Sequence, residues 1–221
     1  MVRFLHYFNP AELSLNLSEA FRSLDIKDWY QGEILAFLEP LRVKDVATYE
    51  HSIRVGLLAQ KIGRYIHLDP KALLYAGLLH DVGKAQTRLA TLQKTEGWNE
   101  ADTAEIMGHV MDGYRLIRDK FDFSAEIILW HHRFQPRGYP AQMPEALHGY
   151  SQGTQIMIPV YGRMLSLADT FDALHRVNDK HGDIPITGAE IEQKMLTFHP
   201  DQKILVADLF KDGIFTNPIL Q

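Results

Sequence analysis

The sequence predicts an all-α fold, and three observations carry that reading. Apolar residues recur at three- and four-residue intervals in almost every segment, no stretch sustains the alternate-residue pattern of a half-buried strand, and helix start and stop signals bracket the periodic runs. The first forty residues, with Ser18, Trp29 and the apolar run ILAFL ahead of Pro40, read as two short helices leading into a core. From about Asp45 to Ile66, Val46, Tyr49, Ile53 and Leu57 form one stripe and Val55, Leu58 and Ile62 another, with His51 in line with the second. Asp69 followed by Pro70 reads as an N-cap and first helical residue. The helix it opens has Leu73, Ala76 and His80 on one face and ends near Gly83, which points His80 inward at a helix end. A further helix is predicted from around Asn99 through Ile106, His109, Gly113 and Leu116 as a single stripe, and Ser124 is a candidate cap for the run AEIILWHH. The Gly- and Pro-containing segment from Arg133 to Ile158 has a length usually reserved for functional loops. A helix from about Pro159 to His175 then carries Asp169 and Asp172. Thr187 with Glu190 forms a capping-box pattern for the next helix, and Pro200 and Gly213 frame the last.

Composition narrows the functional classes. A chain of 221 residues with no Ser/Gly linker, internal repeat or low-complexity tract reads as one domain: a core of about residues 41–180, an N-terminal helical extension over 1–40 and supporting helices over 181–221. A net charge of -5 argues against a broad basic surface for polymeric nucleic acid, so an anionic substrate must be held locally. The absence of cysteine removes disulfides, thiolate metal sites and cysteine nucleophiles, and metal ligation must use nitrogen and oxygen. No run approaches the roughly 20 apolar residues of a membrane span, and the start MVRFLHYFNPAEL lacks the layout of a signal peptide. A soluble, cytoplasmic protein is expected.

Chemistry concentrates in dispersed histidines and aspartates. His80 and Asp81 are adjacent in LLYAGLLHDVGK, and His51, His109, the pair His131-His132 and Asp169 each sit in their own apolar periodic segment. A lone histidine on an apolar face is usually a satisfied core residue. Several on the inward stripes of separate helices can converge, and they number more than one ion needs. On a helix His131 and His132 would lie about 100° apart, so at most one need face a given ion.

Taken in order, HSIRV, LLHDVGK, HVMDGYRLI, ILWHH, RGYP and SLADTFDAL resemble the HD superfamily of metal-dependent phosphohydrolases, and more narrowly its HD-GYP branch, over roughly residues 47–176. The resemblance implies an HD-type helical bundle with short additional helices at both termini. It further implies that His51, His80, Asp81, His109, His131, His132 and Asp169 ligate two divalent transition-metal ions, Fe or Mn favoured and Zn, Co or Ni open. Asp81 would bridge them, and Lys84 would reach the phosphate or the water. Gly138, Tyr139 and Pro140 match the motif that names the branch. The implied reaction is hydrolysis of cyclic diguanylate or a related cyclic dinucleotide by hydroxide generated at the ions.

Departures from the branch bear on substrate. The loop after the double histidine reads HHRFQPRGYP, with Arg133, Gln135, Pro136 and Arg137 in place of an acidic residue and an Asp-Gly pair. Arg133 and Arg137 are candidate phosphate clamps through their planar forks, and Tyr139 is a candidate for base stacking. After TFDAL a basic stretch is missing, and only Arg176 among His175, Arg176, Val177, Asn178 and Asp179 substitutes for it. The text after HDVGK also differs, so the cover over the metals should differ. Ala47 occupies the place of a glutamate that some members use for a third metal, which favours two ions. Asp172 is a candidate for orienting a ligand histidine or a solvated helix charge. Lys84 also suits a helix-end cation. His6, His67, His148, His175, His181 and His199 lack such context and are expected at the surface. Two rival functions stand beside the phosphodiesterase: an HD phosphohydrolase of mononucleotides or other small phosphoesters, and a non-catalytic nucleotide-binding or signalling module. Whether a second copy or a sensor partner joins the chain is left open.

Overall fold

The computed structural model describes residues 3–4, 10–146, 148–177 and 187–215. Eleven α-helices are described in it: α1 (Pro10–Ser23), α2 (Asp28–Lys44), α3 (Val46–Tyr65), α4 (Pro70–Leu79), α5 (Leu89–Leu92), α6 (Glu100–Met107), α7 (His109–Ile117), α8 (Asp122–Ile128), α9 (Gln152–Leu174), α10 (Gly188–Phe198) and α11 (Lys203–Lys211). The all-α reading holds. Its one exception among the described residues is an antiparallel pair of two-residue strands, β1 (Arg3–Phe4) and β2 (Arg176–Val177), too short to carry any alternating pattern.

The central helix is α3. An uninterrupted run from His51 to Gly56 is buried, so this stretch of the helix is enclosed on all sides and its polar residues must find partners indoors. Asp45 caps it, its side chain accepting from the Thr48 amide. α3 packs most extensively on α4 and next on α9. The α3–α4 crossing depends on two glycines: a Cβ on Gly77 would stand 2.6 Å from Gly56 Cα, and one on Gly56 would stand 2.8 Å from Leu78 Cγ. This close approach brings His51 and His80 to the same depth. Beyond α4, a 3-10 turn over Val82–Ala85 brings Gly83 so near α7 that a Cβ there would overlap the His109 carbonyl.

The terminal helices join the same core. Ile34, Leu38 and Leu41 of α2 are fully buried, and Tyr30 and Phe37 pack edge-on against Phe121. At the other end Phe215 stacks on Phe171 of α9 with ring centroids 4.4 Å apart, and Arg163 of α9 pairs with Asp201 at 2.5 Å. No described helix is long and apolar enough to cross a membrane.

Several boundaries differ from expectation for local reasons. Pro40 and Pro159 lie inside α2 and α9, so neither bounds its helix. α9 starts at Gln152, where Ser151 accepts from the Thr154 amide, which shortens the expected 133–158 loop. The expected single helix through His109 is two, broken at Gly108, and Leu116 is exposed rather than on the buried stripe. Asn99 and Asp102 do form a capping box at the start of α6, as Thr187 and Glu190 do at α10, and Asp69 with Pro70 opens α4. Ser124 lies within α8 instead of capping it, and that helix stops at Ile128, leaving both adjacent histidines beyond its end. His175 and His199 are buried, contrary to expectation: Nδ1 of His175 donates to the Phe171 carbonyl, and the Arg163 guanidinium donates to Nδ1 of His199. His67 and His148 are exposed as expected, while His6 and His181 lie outside the described residues.

The glycine contact gives a paired test. Gly77→Ala must push α3 from α4 and is expected to cost about 1–3 kcal/mol in urea denaturation. Gly32→Ala, in α2 with nothing within 4 Å of its new methyl, is expected to be neutral or to gain up to about 1 kcal/mol. Equal effects from the two would contradict the close-approach account.

Candidate metal centre

Five segments aim side chains at one buried point. α3 supplies His51, the end of α4 supplies His80 and Asp81, α7 supplies His109, the turns after α8 supply His131 and His132, and α9 supplies Asp169. His51, His80, Asp81 and His131 show no exposure, and His109 shows 1%. Nε2 of His51 lies 3.5 Å from Asp81 Oδ2 and 3.2 Å from Asp169 Oδ1. Nε2 of His80 lies 3.4 Å from Asp81 Oδ2 and 3.8 Å from Asp169 Oδ1. On the other side of the same carboxylate, His109 Nε2 stands 3.3 Å from Asp81 Oδ1 and 3.4 Å from His131 Nε2. His132 completes that second group, its ring 3.9 Å from that of His131 and 5.3 Å from that of His109. Because both histidines lie past the helix end, the 100° helical separation expected between them does not apply, and both join one group.

The backbone sets the tautomers. Nδ1 of His80 donates to the Gly77 carbonyl at 2.7 Å, that of His131 to the Ile128 carbonyl at 2.5 Å, and that of His109 to the Ile106 carbonyl. A carbonyl only accepts, so each Nδ1 carries the hydrogen and each Nε2 lone pair faces the centre. His51 is held differently, its Nδ1 donating to Asp172 Oδ2 at 2.7 Å. Asp172 is therefore not a solvated helix charge. It is buried and also receives the Arg54 guanidinium.

Charge within the cluster is uneven. Burial alone would raise Asp81, but His80, Lys84 and His109 hold its carboxyl well below the usual range. Burial and the nearby Lys84 push His109 down to about 3, and burial with the charge of His80 pushes His131 to about 4. Burial likewise drives His132 well below its ordinary value. His80 is the exception: burial would depress it, but Asp81 and Asp169 outweigh that and raise it.

These residues fit divalent cations. Buried polar atoms normally have partners, yet His80 Nε2 and Asp81 Oδ1 have no hydrogen-bond partner among the described residues. Nitrogen and oxygen ligands about 2.1 Å from one ion stand roughly 3.0–3.4 Å from each other, close to the separations above. Three overlapping groups have ligand atoms within 4.8 Å of one another: His51, His80 and Asp81; His80, His131 and Asp169; His109, His131 and His132.

The rim differs from expectation. Lys84 Nζ sits 2.5 Å from Asp81 Oδ2, on the 3-10 turn and beyond the end of α4. Arg133, expected as a phosphate clamp, donates through Nη1 to the Pro140 and Ala141 carbonyls and so closes its own loop. A Cβ on Gly138 would collide with the Arg133 carbonyl, so this turn requires glycine. Tyr139, expected to stack on a base, stacks on His132 with centroids 4.5 Å apart. Arg137 is exposed, and the Arg176 side chain lies outside the described residues. Sequence reasoning missed Arg54, whose signal was a cation one turn after His51 on a buried helix, and the contact of Gln135 with His132 Nδ1 at 2.9 Å.

The fold and this cluster define a class, an α-helical domain built around a buried histidine-aspartate cluster that could hold metal. Residues 48–174 match the family model described as HD domain, and the chain belongs to that family. Among curated proteins it is 29% identical over 150 residues to the 3'3'-cGAMP-specific phosphodiesterase 1 of Vibrio cholerae, covering 65% of this chain and 32% of that one. It is 30% identical over 180 residues to a cyclic di-GMP phosphodiesterase of Pseudomonas aeruginosa, covering 76% and 41%. The chain thus spans about a third to two fifths of the length of these relatives. The crystal structure of the HD domain of the L. monocytogenes phosphodiesterase PgpH shares the fold, with a TM-score of 0.54 and 21% identity over 81% of this chain and 86% of that one.

The raised pKa of His80 has a measurable consequence. Nε2 must be bare to hold a cation, so metal affinity is expected to rise with pH through His80's raised pKa and then level off, with about one proton released per chain. Calorimetry in buffers of different ionisation enthalpy reads that proton, and an affinity flat from pH 6 to 8 would contradict the assignment.

Proposed function

We propose that this chain is a cytoplasmic metal-dependent phosphohydrolase of the HD-GYP branch that opens cyclic diguanylate or a related cyclic dinucleotide at a centre of two divalent ions. The observation that carries the reading is the placing of Asp81, whose Oδ2 faces His51 and His80 while its Oδ1 faces His109. One carboxylate between two ligand groups is suited to bridging. In this reading His51, His80, Asp81 and Asp169 hold one ion and His109, His131, His132 and Asp81 the other. The mixed imidazole and carboxylate set suits Fe or Mn, with Zn, Co and Ni also compatible. Such a pair, when bound, supplies an activated water and neutralises charge on the attacking and leaving oxygens.

The chain's own residues do the rest. Asp81 would join the two ligand groups and Asp169 would complete one of them, and the carbonyl-anchored imidazoles keep that arrangement rigid. Lys84, a cation at the rim, holds a non-bridging phosphate oxygen. Arg133 acts indirectly by shaping the loop, which leaves Arg137 and Arg176 as the arginines proposed to meet phosphate, and Tyr139 braces His132. The cyclic dinucleotide assignment is supported by the names of the relatives above and by a second PgpH structure, solved with cyclic-di-AMP, that shares the fold at a TM-score of 0.52. The altered loop and the missing basic stretch motivate the rival, a mononucleotide phosphohydrolase.

A substrate panel at fixed Mn2+ or Fe2+ tests this. Cyclic diguanylate, 3'3'-cGAMP or cyclic-di-AMP is expected to be opened in preference to mononucleotides. Asp81→Asn is expected to lose at least about a thousandfold in kcat and Lys84→Met about tenfold to a hundredfold. Turnover of mononucleotides alone would favour the rival, and two bound ions without turnover of any phosphoester would favour a binding module.

A further inference from the structure

We infer that Arg54 is a positioning residue for the metal centre: through Asp172 it fixes His51 and sets the affinity of one ligand group without touching ion or substrate. The inference rests on the metal-centre reading above. Its basis is an asymmetry among the imidazoles. His80, His109 and His131 are each oriented by a peptide carbonyl three residues earlier, a neutral dipole built into the chain. His51 is oriented by a full charge from a residue 121 positions away. A carboxylate on Nδ1 raises the basicity of Nε2 and so makes His51 the stronger ligand, but a carboxylate can rotate where a peptide carbonyl cannot.

Arg54 removes that freedom. Its Nε donates to Asp172 Oδ1 at 2.7 Å and its Nη2 to Asp172 Oδ2 at 3.1 Å. The planar fork therefore grips both oxygens and leaves Oδ2 in line with His51 Nδ1. Both partners are more than nine-tenths buried. A buried ion pair is a poor source of stability in itself, because desolvation offsets most of the attraction, so stability alone gives little reason for this one. Sharing Oδ2 with His51 gives a reason. Arg54 also balances a third carboxylate close to Asp81 and Asp169, with Glu50 as a weaker neighbour at 3.9 Å. Spacing favours the device, since Arg54 follows His51 by three residues on one helix and Asp172 follows Asp169 by three on another. Each pair puts one residue at the centre and one behind it.

The test titrates the full-length, metal-free chain with Co2+ alone, following its visible absorption and the heat of binding. Wild type is expected to take two ions. Arg54→Met is expected to lose about tenfold to a hundredfold in affinity at one of them, with the spectrum of the other unchanged. Arg54→Lys, which keeps the charge but not the fork, should fall between, and Asp172→Asn should match Arg54→Met. Arg163→Met, which removes a buried arginine remote from His51's hydrogen bonds, should leave both affinities within twofold whatever it does to stability. Two unchanged affinities in Arg54→Met would overturn the proposal. If that variant fails to fold by circular dichroism, unchanged binding in Asp172→Asn overturns it instead. Wild type that takes up no Co2+ overturns the metal centre itself, and this inference with it.

Discussion

A carboxylate without solvent exposure governs this molecule. Asp81 is fully buried, and a charge in that position is tolerated only if the fold surrounds it with opposite charge or hydrogen-bond donors. Lys84 meets one oxygen, imidazoles close in on both, and the helices that carry them must approach more closely than ordinary side chains permit. That requirement explains the glycines at the α3–α4 crossing and at the turn against α7. It also explains why the stretch of α3 from His51 to Gly56 is buried without interruption, since that turn and a half lies in the middle of the core.

Rigidity comes from the backbone more than from side-chain packing. The cluster histidines of α4, α7 and the segment after α8 each return their Nδ1 hydrogen to a carbonyl of their own turn, so ring direction is fixed by local geometry once the helix forms. Only the distances between turns then depend on tertiary packing. The terminal helices contribute at that level. Phe215 on Phe171 and Arg163 with Asp201 and His199 pin the C-terminal pair to α9, the helix that presents Asp169.

Most helices and the converging residues were legible because both obey local periodicity. Asp69-Pro70 and Thr187 with Glu190 start helices through hydrogen bonds confined to a few residues, and such signals survive without tertiary information. The errors occurred where tertiary contacts override the local signal. Pro40 and Pro159 are carried inside helices, Ser124 lies past the true start of α8, and Gly108 breaks a stripe that reads as continuous. The same limit applies to the site. His131 and His132 could be named, but their joint approach to His109 depends on where α8 stops. Arg133 looks like an anion clamp until the carbonyls of Pro140 and Ala141 take it up, and the burial of His199 depends on Arg163, 36 residues earlier.

The uneven charge of the cluster has a consequence for the order of events. With His80 neutral, Asp81, Asp169 and Asp172 outnumber the neighbouring cations Lys84 and Arg54, and α4 directs the carbonyl end of its axis, the negative pole of a helix, toward the same spot. Such a cavity disfavours anions by itself. Bound cations would reverse the sign of the field, so an anionic molecule would be admitted only after the inorganic part had been installed.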